Sequence, residues 1–93
     1  MKHWKIIIRG KVQKVFFRAS TKAVADQLEV KGFVMNKPDG TVYIEAEGDN
    51  FGLDSLLDFL KEGPQDAEVE AVDVEEFTAL QGFKNFEVIK KLS

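Results

Sequence analysis

The chain of 93 residues is long enough for one small domain, which we take to span residues 1–93, and its composition (44% hydrophobic, 31% charged) is typical of a globular protein. It contains no cysteine, which excludes disulfide bonds and thiolate chemistry. Its N-terminus has only three consecutive apolar residues, too few for a signal-peptide core or a membrane span, so we expect a cytoplasmic protein.

The net charge of −3 argues against a dedicated nucleic-acid binder, because such proteins usually carry a basic face. The charges are nevertheless divided along the chain. Residues 1–37 contain nine Lys or Arg and two Asp or Glu, whereas residues 39–76 contain thirteen Asp or Glu and one Lys. We therefore expect an anionic ligand to bind the N-terminal part of the chain.

The first predicted elements are a strand and a helix. From Trp4 to Val12 the even positions are apolar or small and most odd positions are polar, which predicts a strand with one buried face. In the region of roughly residues 18–29 the apolar side chains recur at helical spacing, which predicts a helix.

A hairpin and a second helix follow. Gly32–Asn36 predicts a strand, and the alternation over residues 41–47 predicts another. Between them, Lys37-Pro38-Asp39-Gly40 favours a turn, because proline presets φ and glycine accepts a positive φ. The second helix is expected to begin near Asp49 or Asn50, either of which can cap it.

Two strands complete the chain after a helix stop at Gly63-Pro64. Val69–Phe77 predicts a strand whose alternation changes phase near Ala71-Val72, which indicates a bulge or a late start, and Phe86–Ile89 predicts a short final strand. This order of elements predicts an α+β fold. We expect a ferredoxin-like βαββαβ sandwich, with two helices on one face of an antiparallel sheet and a short extra C-terminal strand.

The segment from Gly10 to Arg18 connects the first strand to the first helix. A tight connection of this kind turns successive backbone N–H groups toward one point, and the start of the helix adds free N–H groups and the positive end of its dipole. Arg18 lies in the first helical turn, where a cation is unfavourable by about 0.3–1 kcal/mol, so its presence suggests a bound anion. Spacing alone favours the simpler interpretation, in which Arg18 is a solvated surface residue.

Asn36 ends a predicted strand directly before the turn. Taken alone, it is more often a turn residue than a functional amide. Gly10 and Gly32 lie inside strand patterns, where glycine often indicates the close approach of another backbone.

Two segments together resemble the signatures of the acylphosphatase family. The first resembles Gly-x-Val-Gln-Gly-Val-x-Phe-Arg, and the matching residues are Gly10, Val12, Gln13, Val15, Phe17 and Arg18. The second resembles the other signature of that family, through Gly32-Phe33-Val34-Met35-Asn36, Gly40, Val42 and Gly48. The similarity covers nearly the whole chain, because length and element order also fit.

The resemblance implies an enzyme that hydrolyses acyl phosphates to a carboxylate and inorganic phosphate, without a metal or cofactor. It implies that Arg18 binds the phosphate and that Asn36 orients the attacking water. The backbone N–H groups that would share the phosphate belong to Gln13, Lys14, Val15, Phe16, Phe17 and Arg18. We expect a monomer that binds a small-molecule acyl phosphate and neither nucleic acid nor a membrane.

Lys14 departs from the family signature, which usually has glycine there. If the position requires a positive φ, a lysine costs on the order of 1 kcal/mol or more. Two outcomes are open: a flipped peptide that turns a carbonyl toward the phosphate site, or a lysine that adopts the required shape and adds positive charge at the rim. The first would leave an anion-binding accessory or regulatory module with weakened catalysis, which is the alternative function.

Other chemistries have little support in the sequence. The only histidine, His3, is expected at the fraying start of a strand, which makes a histidine nucleophile or metal site a poor hypothesis. The acidic residues from Asp66 to Glu76 are interpreted as a solvated sheet face. An RNA-binding sandwich would need aromatic residues on its exposed sheet face, where only Tyr43 is predicted.

Overall fold

In a computed structural model, which describes residues 1–90, five strands form one sheet and two helices pack against it. The elements are β1 Lys2–Lys11, α1 Phe17–Gln27, β2 Lys31–Asn36, β3 Val42–Gly48, α2 Asn50–Glu62, β4 Glu68–Phe77 and β5 Phe86–Val88. The predicted order of elements and the predicted ferredoxin-like fold are confirmed. Neither helix is long and apolar enough to cross a membrane, a finding that concerns residues 1–90.

The strands lie in the order β4-β1-β3-β2-β5. β1 is antiparallel to both β3 and β4, and β2 is antiparallel to β3. The short strand β5 instead runs parallel to β2, with Val88 opposite Val34, so the sheet is mixed. Because parallel strands end at the same edge of a sheet, the residues after β5 lie beside the end of β2, where Asn36 is found.

The core lies between the sheet and the helices. Alternate residues of β1 point into it, and Ile6 and Ile8 are fully buried. The second helix contributes Leu53, Leu56 and Leu60, which have no exposed surface. Each buried aliphatic side chain of this size contributes about 1.5–3 kcal/mol relative to an exposed one, so this layer holds the helices on the sheet.

Helix α1 ends, and helix α2 begins, at a hydrogen-bonded cap. The backbone N–H of Glu29 donates to Asp26 (3.2 Å) and that of Val30 to Ala25 (2.9 Å), which is a Schellman motif with Glu29 at the left-handed position, φ 58°. This motif ends α1 two residues before the predicted end. At α2 the predicted cap is confirmed, because Oδ1 of Asp49 accepts a hydrogen bond from the Gly52 N–H at 2.7 Å.

Two glycines allow close backbone approach, as the strand patterns predicted. Gly32 has a φ of 145°, and a Cβ there would overlap the Glu45 carbonyl oxygen of β3. Gly10 has a φ of 128° and faces a register shift in β4, where Arg9 pairs with Ala71 but Gly10 pairs with Val69. The irregularity predicted near Ala71-Val72 is therefore a bulge that leaves residue 70 unpaired.

His3 is buried, and its predicted position at a fraying strand end is wrong. Its side chain is 2% exposed, and its Nδ1 and Nε2 lie 2.7 Å from Glu47 and 2.9 Å from Glu45. The Phe83 ring stacks on the imidazole with centroids 5.9 Å apart. Residues 78–85 fold across this end of the open sheet face, a long-range contact that strand alternation does not reveal.

Candidate active site

The loop between β1 and α1 contains two residues with a left-handed backbone. Lys14 has a φ of 63° and Phe16 a φ of 60°, and Phe16 occupies the N-cap position of α1 without a side-chain hydrogen bond to the helix. Left-handed residues alternating with other conformations turn neighbouring N–H groups toward the same side, which is the geometry of an anion-binding nest. The start of α1 is therefore open to an anion.

The backbone donors of this loop have no partners in the described part of the chain. Within residues 1–90, no N–H group from Gln13 to Arg18 donates to a protein acceptor, and the first helical donor is Ser20, bonded to the Phe16 carbonyl at 3.0 Å. Helix N-termini favour anions both through such free N–H groups and through the helix dipole. The loop thus offers a concentrated set of donors.

A cleft of about 460 Å³ lies beside the loop, a size suited to a small molecule. Arg18 and Asn36 line it together, although they come from different elements. The Arg18 side chain is half-buried and forms no ion pair with any carboxylate of residues 1–90. Among the described residues, the lining consists of Val12, Lys14, Phe16, Phe17, Arg18, Ala19, Asn36, Val88 and Lys90.

The Asn36 carboxamide has an orphaned oxygen. Its Oδ1 is the one buried side-chain polar atom of the described residues that lacks a hydrogen-bond partner. A buried acceptor without a donor costs about 1–3 kcal/mol, so this atom has a strong preference for a donor such as a water O–H. Asn36 also lines the cleft, so its carboxamide belongs to the candidate active site.

Gln13 connects the loop to the strand that carries Asn36. Its Nε2 donates to the backbone carbonyls of Lys37 (2.8 Å) and Thr41 (2.9 Å) at the base of the β2–β3 hairpin. The Lys37 N–H also donates to the Thr41 carbonyl at 2.9 Å. The side chain therefore fixes the position of the loop relative to Asn36.

The hairpin itself is held by Asp39. The Thr41 hydroxyl and backbone N–H donate to its Oδ1 at 2.6 and 3.0 Å. These two hydrogen bonds hold the pKa of the Asp39 carboxyl below its ordinary value. The turn next to Asn36 is thus a local, hydrogen-bonded structure, as its sequence predicted.

The last strand contributes a wall of the cleft that the sequence pattern did not predict. The Ile89 N–H donates to the Val34 carbonyl at 3.0 Å, which continues the parallel pairing of β5 with β2. Val88 and Lys90 consequently line the cleft together with residues of the loop. Alternation predicted a strand here but could not show which strand it pairs with.

The predicted site residues fall into two groups. Arg18, Asn36 and three loop residues (Lys14, Phe16 and Phe17) line the cleft together, whereas Gln13 and Val15 are not among the lining residues. The Val15 side chain is in the core, and the Gln13 side chain faces the hairpin. Their predicted role as backbone donors to phosphate stays a prediction.

Lys14 adopts the left-handed conformation, and its residue lines the cleft. The Lys14 backbone takes up the positive φ considered for this position, and the added charge at the rim stays a prediction. Elsewhere, no group of three or more His, Asp or Glu suited to a metal ion is found among residues 1–90. The acidic residues of β4 are exposed, and two of them, Asp73 and Glu76, contact Arg9 and Trp4.

Comparison with known proteins gives a consistent result. The family model described as Acylphosphatase matches residues 4–88. An acylphosphatase of Acaryochloris marina is 45% identical over 86 residues (92% of this chain and 91% of the relative), and one of Thermotoga maritima is 47% identical over 88 residues (95% and 97%). The crystal structure of the acylphosphatase from Bacillus subtilis superposes with a TM-score of 0.94 at 35% identity, covering 96% of this chain and 99% of that one.

Proposed function

Because the chain belongs to the acylphosphatase family, hydrolases that act on acyl phosphates, we propose that Arg18 and the loop N–H groups bind the phosphoryl group and that Asn36 orients the attacking water. The observation that carries this proposal is that two polar side chains without protein partners in the described part of the chain, Arg18 and Asn36, line the same cleft. Among residues 1–90, the Arg18 guanidinium has no carboxylate partner and the buried Asn36 Oδ1 has no hydrogen-bond donor.

The phosphoryl group is assigned to the loop on electrostatic grounds. A planar guanidinium matches two phosphate oxygens, and free N–H groups at a helix N-terminus add hydrogen bonds to the remaining oxygens. These donors are fixed by the backbone, so they need no reorganisation as charge shifts during the reaction. Arg18 and the N–H groups of Gln13–Arg18 are thus suited to stabilise the transition state.

The attacking water is assigned to Asn36. A carboxamide oxygen is a poor base, but it can accept one O–H of a water and so fix the direction of the oxygen lone pair. Phosphoryl transfer commonly passes through a loose transition state, in which the nucleophile needs positioning more than deprotonation. An amide is sufficient for that task, and correct orientation is itself a large part of the barrier reduction.

The chemistry of the substrate explains why so few groups suffice. Water forms a new bond to phosphorus as the bond between phosphorus and the acyl oxygen breaks, which releases a carboxylate and inorganic phosphate. The conjugate acid of the leaving group has a pKa of about 4, so it departs as a stable anion and needs neither a general acid nor a metal. The water proton passes to a phosphate oxygen or to solvent. Phosphate monoesters, with a poorer leaving group, are expected to be poor substrates.

Steady-state hydrolysis of acetyl phosphate in the presence of EDTA tests this function. Wild type should turn over, and Arg18→Ala should lower kcat as well as raise KM and the inhibition constant of phosphate. Arg9→Ala is the matched control, because Arg9 is exposed and pairs with Asp73 at 3.3 Å on the sheet. It should behave as wild type.

The bond that breaks can be tested separately. When the reaction runs in water labelled with heavy oxygen, the label should appear in phosphate and not in acetate. Label in acetate would mean attack on the carbonyl carbon and would contradict the role assigned to the loop. The cytoplasmic location and the monomeric state stay predictions, and light scattering on the purified protein measures the latter.

A further inference from the structure

The cleft is lined by more positive charge than the proposed reaction requires. Lys14, Arg18 and Lys90 line it, and no acidic residue among residues 1–90 does. None of the three forms an ion pair within residues 1–90, whereas Lys2 and Lys22 each pair with a nearby carboxylate. Arg18 is already assigned to the phosphoryl group, so the proposed reaction does not explain the presence of Lys14 and Lys90.

The charges can be compared with those of the substrate. A phosphoryl group carries about −1.5 to −2 charges near neutral pH, and Arg18 with the backbone N–H groups is suited to bind it. The two lysines add two further positive charges in the same cleft. An acyl phosphate with an uncharged acyl group leaves that surplus unbalanced, whereas one with a second anionic group reduces it.

The backbone at Lys14 gives an independent indication. A non-glycine residue at a φ of 63° is sterically strained, and glycine would occupy the position without that strain. Residues held in such conformations by the surrounding structure cluster at functional sites. The long cationic side chain is the feature that distinguishes Lys14 from the glycine usual in the family signature.

An apolar surface lies within the same cleft. Phe16 and Val88 line it and are unusually exposed for large hydrophobic residues, at 80% and 41%. Lys14 precedes Phe16 by two residues in the loop, and Lys90 follows Val88 by two residues. A short hydrocarbon chain lying on Phe16 and Val88 would therefore share the cleft with Lys14 and Lys90.

We propose that the enzyme prefers acyl phosphates whose acyl group ends in a second anion, a carboxylate or a phosphate, and that Lys14 and Lys90 bind that anion. The proposal rests on the phosphoryl site described above and adds a specificity to it. The two lysines determine which substrate binds well, and the mechanism by which water attacks phosphorus is the same for every acyl phosphate.

The test compares succinyl phosphate with butyryl phosphate, which have the same number of carbons but differ in a terminal carboxylate. Wild type should show a kcat/KM for succinyl phosphate about tenfold higher than for butyryl phosphate, through a lower KM, because the terminal carboxylate gains two solvent-accessible charge pairs. The ratio of kcat/KM for succinyl phosphate to kcat/KM for butyryl phosphate should fall in Lys14→Gln and in Lys90→Gln and approach one in the double variant. Added salt should lower the ratio in wild type.

Lys61→Gln is the matched control, because it removes the same charge from the exposed last turn of α2. Its ratio should equal that of wild type. If both substrates are hydrolysed but the wild-type ratio of kcat/KM values is near one, or the double variant has the same ratio as wild type, the proposed specificity is overturned and the proposed function stands. Failure of wild type to hydrolyse either substrate would overturn the proposed function, and this specificity with it.

Discussion

The side-chain nitrogen of Gln13 lies 2.8 Å from the backbone carbonyl oxygen of Lys37, the residue that follows Asn36. The same nitrogen donates to the Thr41 carbonyl at 2.9 Å. One side chain thus joins the loop that precedes Arg18 to the strand end that carries Asn36. In the proposed mechanism these two segments must hold the phosphoryl group and the water in line, so their relative position determines the rate.

Replacing Gln13 should therefore impair catalysis more than binding. In Gln13→Ala we expect kcat for acetyl phosphate to fall by about tenfold to a hundredfold, with a smaller change in KM, because misplacement by about 1 Å can cost that much. The free energy of unfolding should fall by about 1–3 kcal/mol, since two carbonyls lose a donor. Kinetics are measured at a temperature where circular dichroism shows the variant fully folded.

Gln27→Ala is the control for this experiment, because Gln27 is an exposed residue in the last turn of α1. It should leave kcat unchanged. A folded Gln13→Ala variant with wild-type kcat would show that the connection to the hairpin does not position the reacting groups.

Lys14→Gly should make the protein more stable. Glycine occupies a φ of 63° without the steric cost of a side chain, so the free energy of unfolding should rise by about 1 kcal/mol. Urea denaturation measures the difference. Lys14→Ala removes the same charge but keeps a Cβ, and it should show no such gain. Equal stabilisation by both variants would attribute the effect to charge instead of backbone strain.

Glu29→Gly should also stabilise the protein, without touching the cleft. Glu29 occupies the left-handed position of the Schellman motif at the end of α1, with φ 58°. Glycine is the preferred residue there, and we expect a gain of about 1 kcal/mol in the free energy of unfolding. Activity toward acetyl phosphate should stay unchanged. A loss of stability would show that Glu29 makes a side-chain contribution larger than its backbone strain.

Glu47 should contribute stability that is lost in acid. Burial raises the pKa of the Glu47 carboxyl. Hydrogen bonds from His3 and from the backbone N–H groups of residues 81–83 lower the pKa by more than burial raises it, so the net pKa is below the ordinary value of 4.5. The folded state therefore binds a proton here less readily than the unfolded state. The stabilisation is fully present above about pH 4.5 and is lost as pH falls through the folded pKa.

The corresponding measurement is the melting temperature from about pH 7 to about pH 3. Glu47→Gln should be less stable than wild type at the upper end, and the difference should shrink as the pH falls. Asp54→Asn, which changes an exposed carboxylate of α2, is the matched control and should follow wild type. A difference between Glu47→Gln and wild type that does not depend on pH would contradict this account.

Much of the fold followed from local patterns. Alternation and helical spacing predicted each strand and helix to within a few residues, and Asp49 was predicted as a cap because its side chain satisfies a backbone donor nearby in sequence. The bulge beside residue 70 was visible as a change of phase, since an extra residue moves every later side chain to the other face. These features depend on neighbours in the chain.

The features that the sequence did not predict depend on distant partners. The parallel pairing of β5 with β2 brings Lys90 into the cleft, and alternation shows which face of a strand is buried but not which strand lies beside it. The burial of His3 results from residues 78–85 crossing the sheet. Phe16 at a left-handed N-cap was also unexpected, because bulky residues rarely adopt that conformation.

The central claim is that Asn36 aligns the water while Arg18 and the loop bind phosphate, and Asn36→Ala tests it most directly. The measurement is kcat for acetyl phosphate in EDTA, taken together with the inhibition constant of inorganic phosphate. We predict that kcat falls by about two orders of magnitude or more while phosphate inhibits nearly as well as in wild type. A folded Asn36→Ala variant with wild-type kcat, or one that loses phosphate binding in proportion to activity, would contradict the assignment.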